Sequence, residues 1–219
     1  MRTHDGSIAG REPAPALPPL RLLLASGSPR RRELLTALGA DFVVVASNVD
    51  DGELVPPVGA SAIAWTMSMA YLKARAAVES LDASHAGLVM GADTACDLDG
   101  RIIGKPTTEA EARATLRSMV GQTQRVVTSI AILDPRRTTN RLLLADVAEV
   151  TFGTIYEDAI DRYLVTGGWQ GKAGGYNLTE RVADGWPLSV SGDPDTVVGL
   201  PTRRLAEWLA HAAAWEAGS

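Results

Sequence analysis

The segment Ser26-Gly-Ser-Pro-Arg-Arg-Arg32 puts three consecutive arginines where a helix should begin. Ser28-Pro29 is the start signal, with serine as N-cap and proline at the first helical position. A helix N-terminus carries unpaired N–H groups and about half a positive charge, so each cation there is unfavourable by roughly 0.3–1 kcal/mol. A bound anion reverses that sign. Amide groups, small residues and guanidinium forks together make a phosphate cradle, and Ser26, Gly27 and Ser28 leave room for close backbone approach. The competing reading has the arginines pointing into water or pairing with acids such as Glu33.

Asp93 ends the apolar run Leu88-Val-Met-Gly-Ala-Asp93. Ligand sites in α/β folds lie beyond the carboxyl ends of strands, where a carboxylate can hold a metal or activate water. Thr94 beside it can hydrogen-bond a substrate group. The alternative is a turn residue that caps a hairpin. Asp51, in the loop Asn48-Val-Asp-Asp-Gly52, is a second carboxylate candidate. Two carboxylates bearing on one magnesium ion would complete a phosphate-ester hydrolysis site.

Of the 21 basic residues only Lys73, Lys105 and Lys172 are lysine; the other eighteen are arginine. A chain so biased should keep lysine where a compact ammonium on a flexible stem is needed. Lys105 is held in Gly104-Lys-Pro106, and Lys172 in Gly171-Lys-Ala-Gly-Gly175, where glycines let a ligand approach the backbone. Lys73 has Met69, Ala70, Ala76 and Ala77 as its helical neighbours. On that apolar face it either reaches a shared pocket or snorkels to water.

The elements that must position these groups alternate between strands and helices. Strands are expected at Arg21–Ala25, Phe42–Val45 and Leu88–Asp93, with helices from Ser28 to Gly39 and from about Ser61 to Leu81. Ala95–Leu98 and Arg101–Ile103 read as a hairpin around Asp99-Gly100. Thr108 and Glu111 form a capping box for a helix ending before Gly121. A second hairpin spans 123–133 and 141–153, a helix covers about 157–165, and a glycine-rich loop covers 167–175. Leu205, Trp208, Leu209, Ala212 and Trp215 form an apolar helical stripe, which offers core packing or a homodimer contact. The class is α/β, with a mixed, partly antiparallel sheet flanked by helices. Residues 1–19 read as a disordered Pro/Ala-rich arm, and 20–219 as a single domain with two lobes around a central cleft.

Composition removes several function classes. The formal charge of −5 argues against nucleic-acid binding as the main role. No apolar run approaches the roughly 18–20 residues of a membrane span, and the chain lacks a continuous apolar stretch before Leu20 that would suit a signal peptide. The lone Cys96 cannot form an internal disulfide and fits a reducing cytoplasm. Three scattered histidines exclude HExxH zinc motifs. The residues alone thus describe a soluble α/β protein that binds a polyphosphate with cationic side chains and Mg²⁺.

The same segments closely resemble the Maf family of nucleoside triphosphate pyrophosphatases. The matching pieces are Leu24-Ala-Ser-Gly-Ser-Pro-Arg-Arg-Arg-Glu-Leu-Leu35, Gly91-Ala-Asp-Thr94, Gly104-Lys-Pro106, Gly171-Lys-Ala-Gly-Gly-Tyr176 and Val197-Val-Gly-Leu-Pro201. The resemblance implies hydrolysis between the α and β phosphates to a monophosphate and pyrophosphate. It also implies a fold similar to that of inosine triphosphate pyrophosphatases. By position, Asp93 would be the proton acceptor, and Asp51 and Asp93 would hold Mg²⁺ or Mn²⁺. Ser28, Arg30, Arg31, Lys73 and Lys105 would bind phosphates, with Thr94, Lys172 and Thr179 also on the substrate. Three positions depart from the family pattern. Asp51 stands for a usual glutamate, Gln124 for a usual histidine, and Thr179 for the glutamine of the uridine/thymidine-triphosphate branch, with which Arg30 and Thr94 agree. The expected substrate is therefore a nucleoside triphosphate, with uridine and thymidine types slightly favoured and the enzyme clearing non-standard or excess nucleotides. The family is also linked to inhibition of septum formation, so a non-enzymatic protein that binds a division partner is the alternative. A phosphatase or nucleotidyltransferase is the third reading, distinguished by its phosphate product.

Overall fold

A computed structural model describes residues 20–47, 49, 54–81 and 87–212. The expected Pro/Ala arm, Asp51 and Trp215 lie outside the described residues. The elements in order are β1 (Arg21–Ala25), α1 (Pro29–Leu38), β2 (Asp41–Val44), α2 (Ala62–Ser80), β3 (Leu88–Leu98), β4 (Arg101–Ile103) and α3 (Glu109–Met119). They continue with β5 (Thr123–Asp134), β6 (Arg137–Phe152), α4 (Glu157–Val165), α5 (Leu178–Ala183), β7 (Leu188–Ser191), α6 (Pro194–Val198) and α7 (Thr202–Leu209). The strands form one seven-stranded mixed sheet in the order β2-β1-β3-β5-β6-β7, with β4 also on β3.

The expected local signals operate. Ser28 Oγ accepts from the Arg31 N–H, and Gly39 ends α1 with a left-handed φ of 74°. Thr108 Oγ1 accepts from the Glu111 N–H, while the Glu111 carboxylate reaches back to the Thr107 N–H and hydroxyl and interacts with the Thr108 backbone as well. Asp99 takes a positive φ in the Asp-Gly turn, as a tight hairpin requires.

Asp93 is not at the end of a strand: β3 runs through it to Leu98 as a single eleven-residue strand. The reason is β5, which pairs with β3 continuously from Val89 to Asp97 and holds it straight. On the other edge of β3 the pairing is split. Parallel β1 stops where Ala25 meets Gly91, and antiparallel β4 begins only where Ile103 meets Cys96. The chain leaving β1 at Ser26 and the chain leaving β4 at Gly104 both head into the gap at residues 92–95. Ligand space in this fold is therefore made by a missing strand segment beside Asp93.

Alternation along β3 sends Asp93 to one face and Thr94 to the other. On the Asp93 face, Ala70, Ala74 and Ala77 of α2 pack against Leu23, Val89 and Ala131. Gly91 permits this close approach, since a Cβ there would lie 2.2 Å from the Ala70 carbonyl oxygen and 2.7 Å from the Ala74 nitrogen. The opposite face carries two apolar clusters. One joins β1 and β3 to α1 and α7 through Leu24, Met90, Leu35 and Leu205. The other joins β5 and β6 to α3 and α4 through Val126, Phe152, Leu116 and Tyr163. Among the described residues no helix is long and apolar enough to cross a membrane.

Candidate active site

A cleft of about 340 Å³ opens at the split edge of the sheet. The Ser26–Arg31 turn, Lys73, Asp93, Thr94 and Lys105 all line it. The arginine turn and the Gly-Lys-Pro segment, which are 73 residues apart between Lys105 and Arg32, therefore share one cavity.

Lys73 does not snorkel. It points from the alanine face of α2 onto the sheet, and its Nζ lies 2.7 Å from Asp93 Oδ1 with both residues 7% exposed. A buried carboxylate and ammonium at this distance hold each other in place, and each would be costly without the other. Asp93 can orient water or a cation with its second oxygen.

The three arginines diverge because successive helical positions are about 100° apart. Arg30 lines the cleft and Arg32 is exposed outside it. Arg31 turns inward and is buried. Its guanidinium donates from Nε to the Gly199 carbonyl at 2.9 Å, from one terminal nitrogen to Ser26 Oγ at 2.9 Å, and from the other to Thr94 Oγ1 at 3.2 Å. Thr94 also bonds Thr128, whose hydroxyl donates to the Thr196 carbonyl at 2.7 Å. Arg31 thus ties the turn after β1, the middle of β3 and the segment after α6 into one polar seam. Arg31→Lys keeps the charge but offers no planar fork. The loss of directed, charge-assisted bonds should cost about 2 kcal/mol and lower Tm by about 4–8 °C for a chain of this size, measurable by calorimetry.

The Lys105 segment is anchored from the glycine-rich loop. The Gly174 N–H donates to the Gly104 carbonyl at 3.0 Å, and a short 3₁₀ turn at Ala173–Gly175 holds the loop against β3. Gly174 has φ 68°, and a Cβ there would come within 2.9 Å of Cys96 Sγ. Cys96 lines the cleft, and burial pushes its thiol up to about 12. It should therefore stay a thiol and resist iodoacetamide at pH 8 in the folded protein, reacting only after denaturation; mass spectrometry of the alkylated chain reads this directly.

Two candidates stand elsewhere. Lys172 Nζ pairs with Glu180 at 2.8 Å, and Thr179 is exposed in α5; neither is among the residues lining the cleft. Gln124 is buried in β5 and donates from Nε2 to the Tyr176 hydroxyl at 2.8 Å. Tyr176 and Asn177, which line the cleft, were not anticipated as site side chains. Tyr176 closes the Lys-Ala-Gly-Gly motif and so was within reach of a motif reading, but no local pattern marks Asn177.

The family model for Maf-like proteins matches residues 21–212. The chain belongs to the Maf family. Among its relatives, the dTTP/UTP pyrophosphatase of Bacillus cereus (strain ATCC 10987 / NRS 248) is 37% identical over 191 residues, covering 86% of this chain and 88% of that protein. The dTTP/UTP pyrophosphatase of Bacillus mycoides (strain KBAB4) is 38% identical over 192 residues, covering 86% and 94%. Among solved structures, a HAM1 protein from Coxiella burnetii aligns over 88% of this chain and 99% of its own at 16% identity, with a TM-score of 0.48. The gap in the sheet at residues 92–95 lies inside the segment that the family model matches.

Proposed function

We propose that this Maf protein hydrolyses nucleoside triphosphates between the α and β phosphates, releasing a monophosphate and pyrophosphate, with dTTP and UTP as preferred substrates. The observation that carries the reading is the buried Lys73–Asp93 pair set in the same cleft as the Ser28–Arg30 turn and Lys105. The turn's amides and Arg30 suit the terminal phosphates, since both supply donors to an anion. Lys105 places a further ammonium beside them. Asp93, fixed by Lys73, orients the attacking water and accepts its proton. Little covalent chemistry is required, because phosphoryl-type transfer depends chiefly on positioning and charge neutralisation.

The donor set fits a hard divalent cation. Among the described residues no group of three or more His, Cys, Asp or Glu side chains could form a complete metal cage. Mg²⁺, however, is commonly held by one or two carboxylates together with substrate phosphates. Asp93 supplies one such carboxylate, and Asp51 is the proposed second. Such a cation would neutralise charge on the departing pyrophosphate. The reading further takes residues 20–219 as one catalytic domain of a cytoplasmic enzyme.

The deciding experiment assays natural triphosphates for both products in the presence of Mg²⁺ or Mn²⁺. Stoichiometric pyrophosphate with nucleoside monophosphate is expected. Orthophosphate with a diphosphate would mark a phosphatase and overturn the assignment.

A further inference from the structure

Asn177 is the one carboxamide among the described residues that line the cleft. Its neighbours there include Tyr176 and Leu178, a less charged surface than the Ser26–Arg31 turn. Its two ends are fixed by chemistry rather than by choice of orientation. Oδ1 accepts from the Glu180 backbone N–H at 3.2 Å, and Nδ2 donates to Glu180 Oε1 at 3.0 Å. An N–H can only donate and a carboxylate can only accept, so the amide cannot be flipped. Glu180 is held in turn by Lys172, whose Nζ lies 2.8 Å from Oε2 with its side chain 14% exposed. A carboxamide offers two N–H groups and two oxygen lone pairs. Glu180 uses one of each, and one of each remains.

We infer that Asn177 reads the imide edge of a uracil or thymine base, with Glu180 and Lys172 as its positioning residues. The inference rests on the triphosphate reading of the cleft. The remaining Oδ1 lone pair takes the base N3–H, and the remaining Nδ2–H donates to an adjacent base carbonyl. Lys172 then acts on the substrate through Glu180 and Asn177. Thr179 is exposed in α5, and the inference assigns base reading to Asn177 instead.

The test compares UTP with N3-methyl-UTP, which lacks the imide proton, in the wild type and in two variants. A site built to bond a substrate N–H rejects an analogue without it by large factors, so the wild type should favour UTP by at least about 100-fold in kcat/KM. Asn177→Ser keeps a good N-cap for α5 and should shrink that preference to less than about 10-fold. Glu180→Ala keeps the backbone N–H that holds Asn177 Oδ1 but removes the carboxylate that holds Nδ2, and so loosens the amide. It should raise KM for UTP more than it lowers kcat, and also narrow the preference. Unchanged preference in Asn177→Ser would make Asn177 a helix cap only and overturn the inference while the pyrophosphatase reading stands. Preference narrowed in Asn177→Ser but intact in Glu180→Ala would show that Glu180 and Lys172 do not position the amide and would also overturn the inference as stated. A wild type that hydrolyses no triphosphate overturns both.

Discussion

Asp93→Asn is expected to lower kcat/KM for pyrophosphate release by at least about 10³-fold, because the amide can neither accept the water's proton nor hold a cation with full charge. The same substitution withdraws the negative charge 2.7 Å from the buried Lys73 ammonium. Breaking such a pair from one side costs about 3–5 kcal/mol, so a fall in Tm should accompany the lost activity. The double variant Lys73→Met, Asp93→Asn separates the two effects. It should recover a large part of the thermal stability, since replacing both charges leaves neither uncompensated, yet remain inactive. Activity near wild type in Asp93→Asn would remove Asp93 from the chemistry. A division phenotype retained by this inactive variant would point to the binding role linked to the family.

Gly91→Ala should be the most damaging glycine-to-alanine change among the described residues. Its Cβ would meet backbone atoms of Ala70 and Ala74 at 2.2 and 2.7 Å, and backbone within a helix cannot rotate away. Overpacking costs typically about 1–3 kcal/mol and more where nothing can yield, so a loss of about 3 kcal/mol or more is expected. For this chain length that lowers Tm by about 6–12 °C. Activity should fall as well, although Gly91 touches no substrate. Lifting α2 from β3 moves Lys73, which lies between Ala70 and Ala74, away from Asp93. Crystal coordinates of the variant should show that distance lengthened. An intact 2.7 Å pair with full activity would refute this coupling.

Much of the architecture was written locally. The Ser28-Pro29 start, the Gly39 stop, the Asp99-Gly100 hairpin and the Thr108 cap each act over three or four residues, and each appears as expected. The second hairpin is also present, though its turn is only two residues because β5 and β6 zip further than the polar composition of 134–140 suggested. Three short elements were missed. β7, α5 and α6 have four to six residues, too few for a hydrophobic period to show. The site followed the same division. Asp93, Lys105 and the arginine turn stood out because each breaks a local rule. Asn177 breaks none, and the different fates of Arg30, Arg31 and Arg32 depend on which face of α1 meets the sheet.

The motif segments of the sequence showed the family resemblance, and residue types alone marked the anion-binding turn, the cations and the carboxylate, because charge and helix polarity are local properties. Only the folded chain decided how they meet. The close seat of α2 over Gly91 brings Lys73 onto Asp93, and the end of β1 at Gly91 and the start of β4 at Cys96 leave the opening beside it. Both depend on contacts between segments distant in the chain, where steric fit and strand register carry the information and no single stretch of sequence does.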